Sequence, residues 1–146
     1  LHLESIEGEP VFVEGLDGDW EASVKKSFPQ AQGVIQSAVL METAISISRQ
    51  TDVWVVVVDA GKRGADFAAS FCGNAVWSGH SLKGDPESIL YSVVNAMHRN
   101  GVEQGGVAIR FIGIVGEDLN AVFKRFFSDT ECLGKSKWDG LKLLSK

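Results

Sequence analysis

A run of apolar residues at positions 53–58 (V-W-V-V-V-V) constrains the fold of this 146-residue chain more than any other feature. A strand with four consecutive valines and a tryptophan has no polar face. We therefore expect it to be covered on both sides, as in the centre of an α/β sheet. The run ends at Asp59 and continues into the glycine-bracketed basic turn 61–64. Because such strand ends commonly open into a crevice, the run also predicts a candidate site beside the sheet.

The patterns around this run predict an α/β (α+β) domain with a mixed sheet of about five strands. Residues 53–82 are expected to form a three-stranded antiparallel meander, because Gly73-Asn74 between two apolar runs is a two-residue hairpin signal. The other segments predicted to be extended are 9–15 and 105–116, and residues 78–85 are predicted to be a loop.

Helices are predicted at about 30–50, 86–100 and 117–128, packed on the sheet. Residues 34, 38, 41 and 45 form an apolar stripe in the first of these helices. The second helix has Asp85 as its N-cap and Pro86 at its first position. Shorter helices are predicted at 18–28 and in the tail 135–146.

Composition favours one domain, 1–146, with an acidic lead-in at 1–21 that holds seven acids and no lysine or arginine. The formal net charge of −5 disfavours nucleic acid as a partner. Two cysteines do not make a disulfide framework, which favours an intracellular, reducing compartment. The longest apolar run is far shorter than the roughly 20 residues of a membrane helix, so no membrane partner is expected.

Three carboxylates are candidate metal ligands or catalytic groups. Asp59 follows the first long strand, and Glu117 and Asp118 follow the second. If these strands are adjacent and parallel, the carboxylates would gather at one sheet edge and bind Mg²⁺. The simpler alternatives are that Asp59 holds the turn and that Glu117 and Asp118 cap a helix.

Two further groups of residues are candidate binding elements. Lys62 and Arg63 could hold an anion, although the turn is not a Walker loop and also fits a solvated hairpin. Trp20, Trp77 and Trp138 fall outside the apolar stripes and could be exposed interface anchors. The three histidines and two cysteines lack the paired spacing of zinc sites.

The order of elements over about residues 53–127 resembles the ribonuclease-H-like superfamily. The segment V-D-A-G-K-R-G-A-D-F-A also looks like the first strand and turn of its Holliday-junction-resolvase members. This resemblance implies that Asp59 and Asp118 are metal carboxylates of a two-metal nuclease, with Glu87 near the helix acid. Glu87 departs from that pattern because it begins its helix, which favours a non-catalytic relative.

The segments V-V-V-V-D-A-G, G-G-V-A-I and G-I-V-G-E-D carry a second resemblance, to the GlcG-type family. This resemblance implies a haem- or small-ligand-associated, assembly-forming protein with a profilin-like sheet. That family's D-A-G-G is D-A-G-K here.

Three functions follow from these observations. The first is a non-catalytic binding or assembly module, such as a degenerate ribonuclease-H-like domain of a larger protein or complex, with no cofactor and with a protein partner or a homo-oligomer. The alternatives are a Mg²⁺-dependent nuclease or resolvase using Asp59 and Asp118, and a small-ligand-binding oligomer of GlcG-like type.

Overall fold

The computed structural model describes residues 17–30, 36–113, 115 and 117–134. They form a mixed five-stranded sheet in the order β3-β2-β1-β4-β5. The strands are β1 (Trp54–Ala60), β2 (Ala65–Phe71), β3 (Asn74–Ser81), β4 (Val107–Gly113) and β5 (Asp129–Cys132), and the helices are α1 (Gly18–Ser27), α2 (Gln36–Ser48), α3 (Pro86–Arg99) and α4 (Glu117–Lys124). The predicted α/β class and the meander 53–82 are confirmed.

Strand β1 is the centre of the sheet, as its sequence predicts. Its four valines at residues 55–58 are fully buried. The strand pairs antiparallel with β2 on one side and parallel with β4 on the other. The two long strands are therefore adjacent and parallel, which was the condition for their ends to meet at one edge.

Helices cover both faces of the sheet, which explains why β1 carries no polar face. Helix α2 packs on one face through Leu40, Met41 and Ala44, against Val55 and Val57 of β1. Helices α3 and α4 pack on the other face through a core of Ile89, Val93, Met97, Leu119 and Phe123. Because side chains alternate along a strand, consecutive valines of β1 enter different cores.

The meander differs in detail from the prediction. The turn between β2 and β3 is Cys72-Gly73, not Gly73-Asn74, and both residues have positive φ angles of 48° and 77°. This pair of left-handed residues is typical of a type I′ turn, which matches the twist of hairpin strands. Asn74 instead begins β3, which continues to Ser81. The loop predicted over 78–85 was therefore wrong in its first half.

Two of the predicted helices also differ. The described part of α2 buries Val39, Leu40 and Met41 together. The face of the helix that meets the sheet is therefore rotated relative to the predicted stripe through Ala38 and Ile45. Helix α4 ends at Lys124 instead of continuing to 128, and the chain then enters β5.

The sequence patterns missed β5 because it is short and three of its four residues are polar. It pairs parallel with β4 at the edge of the sheet, and Arg110 of β4 forms ion pairs with its Asp129 at 2.7 Å and its Glu131 at 3.4 Å. The extended segment predicted at 9–15, most of the acidic lead-in and the tail helix lie outside the described residues. Among the helices that are described, none is long and apolar enough to cross a membrane.

Candidate functional site

The candidate site begins at Asp59, the last polar residue of β1. Val55 and Val57 face α2, so Asp59, two residues further on, emerges on the same face. Its carboxylate is half-buried and accepts a hydrogen bond from Gln36 Nε2 of α2 at 3.2 Å. Helix α2 therefore contributes directly to the position of this side chain.

Gly113 at the end of β4 leaves the space that Asp59 needs. It pairs with Ala60 in the parallel ladder and has a φ of 84°. A Cβ at this position would collide with the Ala60 carbonyl oxygen and with Asp59 Oδ1. Glycine is required here both for its backbone conformation and for the close approach of the carboxylate.

The turn from β1 to β2 is held in a defined position. Gly61 N–H donates to the Gly64 carbonyl oxygen at 2.8 Å, which closes the turn. Gly64 packs directly on the Ser81 carbonyl, and Gly84 packs on the Lys62 carbonyl. The chain at the end of β3 thus packs against the turn and supports it. Lys62 and Arg63, at the tip of the turn, stay exposed.

A row of three polar side chains crosses the sheet beside this turn. In the strand register Asp59 pairs with Asp66 of β2, and Asp66 pairs with His80 of β3. Residues directly opposite each other lie on the same face, about 5 Å apart. The row therefore places two carboxylates and an imidazole on the face that carries α2.

The row and the turn together form one open cleft of about 630 Å³. Like charges directly opposite each other in a sheet repel, so Asp59 and Asp66 form an electronegative pair. Lys62 and Arg63 of the connecting turn bring two positive charges to the same cleft. The residues that line it are Asp59, Ala60, Gly61, Lys62, Arg63, Gly64, Ala65, Asp66, His80, Ser81 and Leu82.

A second cleft of about 550 Å³ adjoins the first through His80, Ser81 and Leu82 and runs along α3. Leu82 and Tyr91 in its wall are 84% and 72% exposed. Asp85 begins α3 here by accepting a hydrogen bond from the Ser88 N–H at 3.0 Å. This hydrogen bonding from Ser88 holds the pKa of the Asp85 carboxyl below its usual value.

Glu117 and Asp118 occupy the first turn of α4 and are exposed. Helix α4 follows β4 at the same sheet edge as Asp59, but neither acid is among the residues that line the cleft. Within the described part of the chain, no group of three or more histidine, cysteine, aspartate or glutamate side chains could hold a metal ion.

The predicted tryptophan anchors separate. Trp20 on α1 is 60% exposed, whereas Trp77 is only 9% exposed. Trp77 is buried because it lies on the face of β3 that meets the α3 core, with its ring edge-on to Phe67. The expectation of an exposed Trp77 was therefore wrong. Trp138 lies outside the described residues.

Sequence reasoning missed Gln36 and Asp66 and did not place His80 with the acids. The spacing of the hairpin carries the signal for Asp66. In a hairpin centred on residues 62 and 63, Asp59 and Asp66 are equidistant from the turn and must pair. No comparable local signal exists for Gln36, because the contact of α2 with β1 is tertiary.

Comparison with known proteins shows the fold. No protein-family model matches the chain, and no curated protein sequence matches it. A solved structure of a Bacteroides thetaiotaomicron protein with an actin-like ATPase fold and unknown function is similar to it, with a TM-score of 0.74 at 16% identity. The match covers 92% of this chain and 52% of that one, so the chain spans about half the length of its structural neighbour.

A second solved structure, YeaZ from Pseudomonas aeruginosa, has a TM-score of 0.42 at 17% identity, over 57% of this chain and 43% of that one. The likeness to the Bacteroides structure is to an actin-like ATPase fold, which is related to the ribonuclease-H-like fold but different from it. At 16% identity it shows the architecture alone.

Proposed function

We propose that this chain is a non-catalytic binding module of a larger protein or complex, and that its cleft holds a phosphate-bearing ligand together with a divalent cation. The observation that carries the proposal is the mixed charge of one cleft: Lys62 and Arg63 on the turn, and Asp59 and Asp66 at its base. A bare anion would be repelled by the two carboxylates. A bare cation would leave the two basic residues without a role.

The basic turn supplies the anion contacts. Arginine and lysine form charge-assisted hydrogen bonds with phosphate oxygens, and arginine does so with two parallel donors. Because the glycines at 61 and 64 fix the turn against the chain leaving β3, the two basic residues project from a supported loop. A supported loop loses less conformational entropy when it binds a ligand.

The carboxylates supply the cation contacts. Mg²⁺ is usually bound by one or two carboxylates together with the phosphates of a ligand, and it keeps several waters. Asp59 and Asp66 lie opposite each other on one face, so a cation bound between them would contact both carboxylates. Two protein ligands suffice for such a shared site, whereas a self-contained protein metal site needs more.

A role within a larger unit is supported by length. Nearly all of the chain matches about half of the structural neighbour. We propose that the groups which would complete a reaction on the ligand come from outside this chain. Because the neighbour has an ATPase fold, Mg·ATP is the first ligand to test.

The experiment is isothermal titration calorimetry of the chain with Mg·ATP and with Mg·pyrophosphate, which measures the affinity for each ligand. The double variant Lys62→Ala/Arg63→Ala should bind both at least about tenfold more weakly, because a charged hydrogen bond contributes about 1.5–3 kcal/mol. The unmodified chain should bind both ligands more tightly in the presence of Mg²⁺ than in the presence of EDTA, and Asp59→Asn should abolish this difference. Lys124→Ala, an exposed cation at the end of α4, is the matched control. Absence of binding at millimolar ligand, or an equal loss in the control, would contradict the proposal.

The nuclease remains the second candidate, because β1 and β4 are adjacent and parallel and so bring Asp59 and the start of α4 to one edge. Its test is Mg²⁺-dependent cleavage of duplex and branched DNA, with Asp118→Asn as the variant. Cleavage that disappears in Asp118→Asn while Mg·ATP binding persists would favour the nuclease over the binding module. The small-ligand oligomer stays a prediction; its closed apolar pocket does not correspond to either open cleft.

A further inference from the structure

The cleft along α3 continues from the cleft that holds the basic turn. It has a volume of about 550 Å³ and shares His80, Ser81 and Leu82 with the first cleft. These shared residues lie where β3 ends and the chain turns toward α3. The proposed function places phosphates and a cation in the first cleft and gives the second cleft no role. A ligand that extends beyond its phosphates would enter the second cleft through the shared residues.

The second cleft differs from the first in chemistry. Two large apolar surfaces, Leu82 and Tyr91, line it and are mostly exposed. Lys83 and Glu87 bring one charge of each sign to it. An aromatic side chain offers a face on which a planar ring can stack. The second cleft therefore favours an uncharged ring over a further phosphate.

The side chains along α3 follow a definite order from the basic turn outward. The chain just before α3 contacts that turn, because Gly84 packs on the Lys62 carbonyl. Glu87 lies in the first turn of α3, three residues after this contact. Tyr91 lies four residues later, on the same stripe of the helix and about 6 Å further along its axis. A carboxylate is therefore nearer to the basic turn, and an aromatic ring is further from it.

We propose that the ligand is a nucleotide whose base stacks on Tyr91 and whose sugar hydroxyls donate hydrogen bonds to Glu87. This inference rests on the proposed function, because it needs the phosphates to lie at the basic turn. A carboxylate accepts hydrogen bonds from ribose hydroxyls, and every base has a face that stacks on an aromatic ring. The order of basic turn, carboxylate and ring matches the order of phosphate, sugar and base. A bare polyphosphate would leave Tyr91 unused and would be repelled by Glu87.

The experiment is isothermal titration calorimetry of the chain with Mg·ATP and with Mg·methyl triphosphate, both in excess Mg²⁺. Methyl triphosphate has the same phosphates and the same charge as ATP but has neither sugar nor base. The unmodified chain should bind Mg·ATP at least about fivefold more tightly, because only ATP can stack. Tyr91→Ala should lose this preference and keep its affinity for Mg·methyl triphosphate, whereas Tyr91→Phe should retain the preference.

A second comparison tests the role of Glu87. Mg·2′,3′-dideoxyATP keeps the base and the phosphates but lacks both sugar hydroxyls. The unmodified chain should bind it about fivefold more weakly than Mg·ATP, because the charged hydrogen bonds to the sugar are lost. Glu87→Ala should remove this difference. The loss of a negative charge acts on both nucleotides equally, so a difference that persists in Glu87→Ala would overturn the assignment of the sugar to Glu87.

Phe28→Ala is the matched control, because it removes an exposed aromatic ring that lines neither cleft and should change no affinity. Circular dichroism melting of each variant measures whether it folds. Equal affinities of the unmodified chain for Mg·ATP and Mg·methyl triphosphate would overturn this inference and leave the phosphate site in place. A preference for Mg·ATP that Tyr91→Ala retains, or that Phe28→Ala also loses, would do the same. Absence of binding by both ligands would overturn the proposed function as well.

Discussion

The site depends on single residues that no apolar pattern identifies. Gly113 illustrates this, because the need for glycine there comes from groups on the neighbouring strand and not from β4 itself. Its neighbours are the Ala60 carbonyl and the Asp59 carboxylate, both on the next strand. A glycine among the apolar residues of a strand indicates a close approach of some kind. Which group approaches is decided by the parallel register with β1.

We expect Gly113→Ala to destabilise the fold by about 2 kcal/mol or more, since a left-handed residue with a Cβ alone costs about 1–2 kcal/mol and the collisions add to it. Gly105→Ala is the control, because a Cβ at Gly105 meets nothing within 4 Å. Urea unfolding of both variants measures the difference. Equal stability of the two variants would show that the backbone at 113 relaxes freely.

Helix α2 and the β2–β3 turn are joined by a buried hydroxyl cluster. Ser48 Oγ accepts hydrogen bonds from Ser70 Oγ at 2.8 Å and from the Gly73 N–H at 2.9 Å. Both serines are fully buried. This cluster attaches the end of α2 to the sheet at the opposite end from Gln36 and Asp59, so α2 is fixed by polar contacts at both ends.

We expect Ser48→Ala to cost about 1–3 kcal/mol, because it leaves buried polar groups without a partner. The double variant Ser48→Ala/Ser70→Ala should lose less than the sum of the two single variants, since the removed groups shared one hydrogen bond. Chemical unfolding of the three variants completes the double-mutant cycle. Additive losses would mean that the two hydroxyls are not coupled.

Helix α3 begins at a titrating cap. Hydrogen bonding from Ser88 keeps the pKa of Asp85 below its ordinary value of 3.8 in the folded chain. The carboxyl binds its proton more readily in the unfolded chain, so its stabilisation is complete above pH 3.8 and is lost as the pH falls through the lowered folded value. Asparagine is an equally good cap but does not titrate in this range.

We therefore expect the melting temperatures of the unmodified chain and Asp85→Asn to converge or cross as the pH falls below about 4, after a constant difference at higher pH. Melting curves from about pH 3 to about pH 7 measure this. Glu103→Gln shows the effect of losing an exposed charge alone, because Glu103 makes no side-chain cap hydrogen bond. A difference between Asp85→Asn and the unmodified chain that is independent of pH would contradict the assignment.

For the whole molecule, the sequence predicts the elements that are determined by interactions between residues close in the chain. The centre of the sheet, the meander and α3 follow from an apolar run, turn residues and a cap, all of which act within a few residues. The strand β5 forms through its parallel pairing with β4, and the burial of Trp77 depends on which face of β3 meets α3. Those contacts are set by tertiary packing, so neither composition nor periodicity could reveal them.

The same limit applies to the site. Asp59, Lys62 and Arg63 are contiguous with the valine run and were identified from it, and the structure places all three in one cleft. Gln36 donates a hydrogen bond to Asp59 from a preceding helix, and His80 enters the cleft from the far strand of the meander. Their contribution becomes visible only once the strand register is known.

The parallel pairing of β1 with β4 also determines when the sheet can be completed during synthesis, because β1 must wait for β4. Each residue of β1 pairs with a partner roughly fifty positions later, so the central strand leaves the ribosome several seconds before β4 at about 5–20 residues per second. Throughout that interval the meander exposes the β1 edge as an unpaired row of valines. We therefore expect this edge of β1 to be open to chaperone binding until β4 emerges and pairs with it.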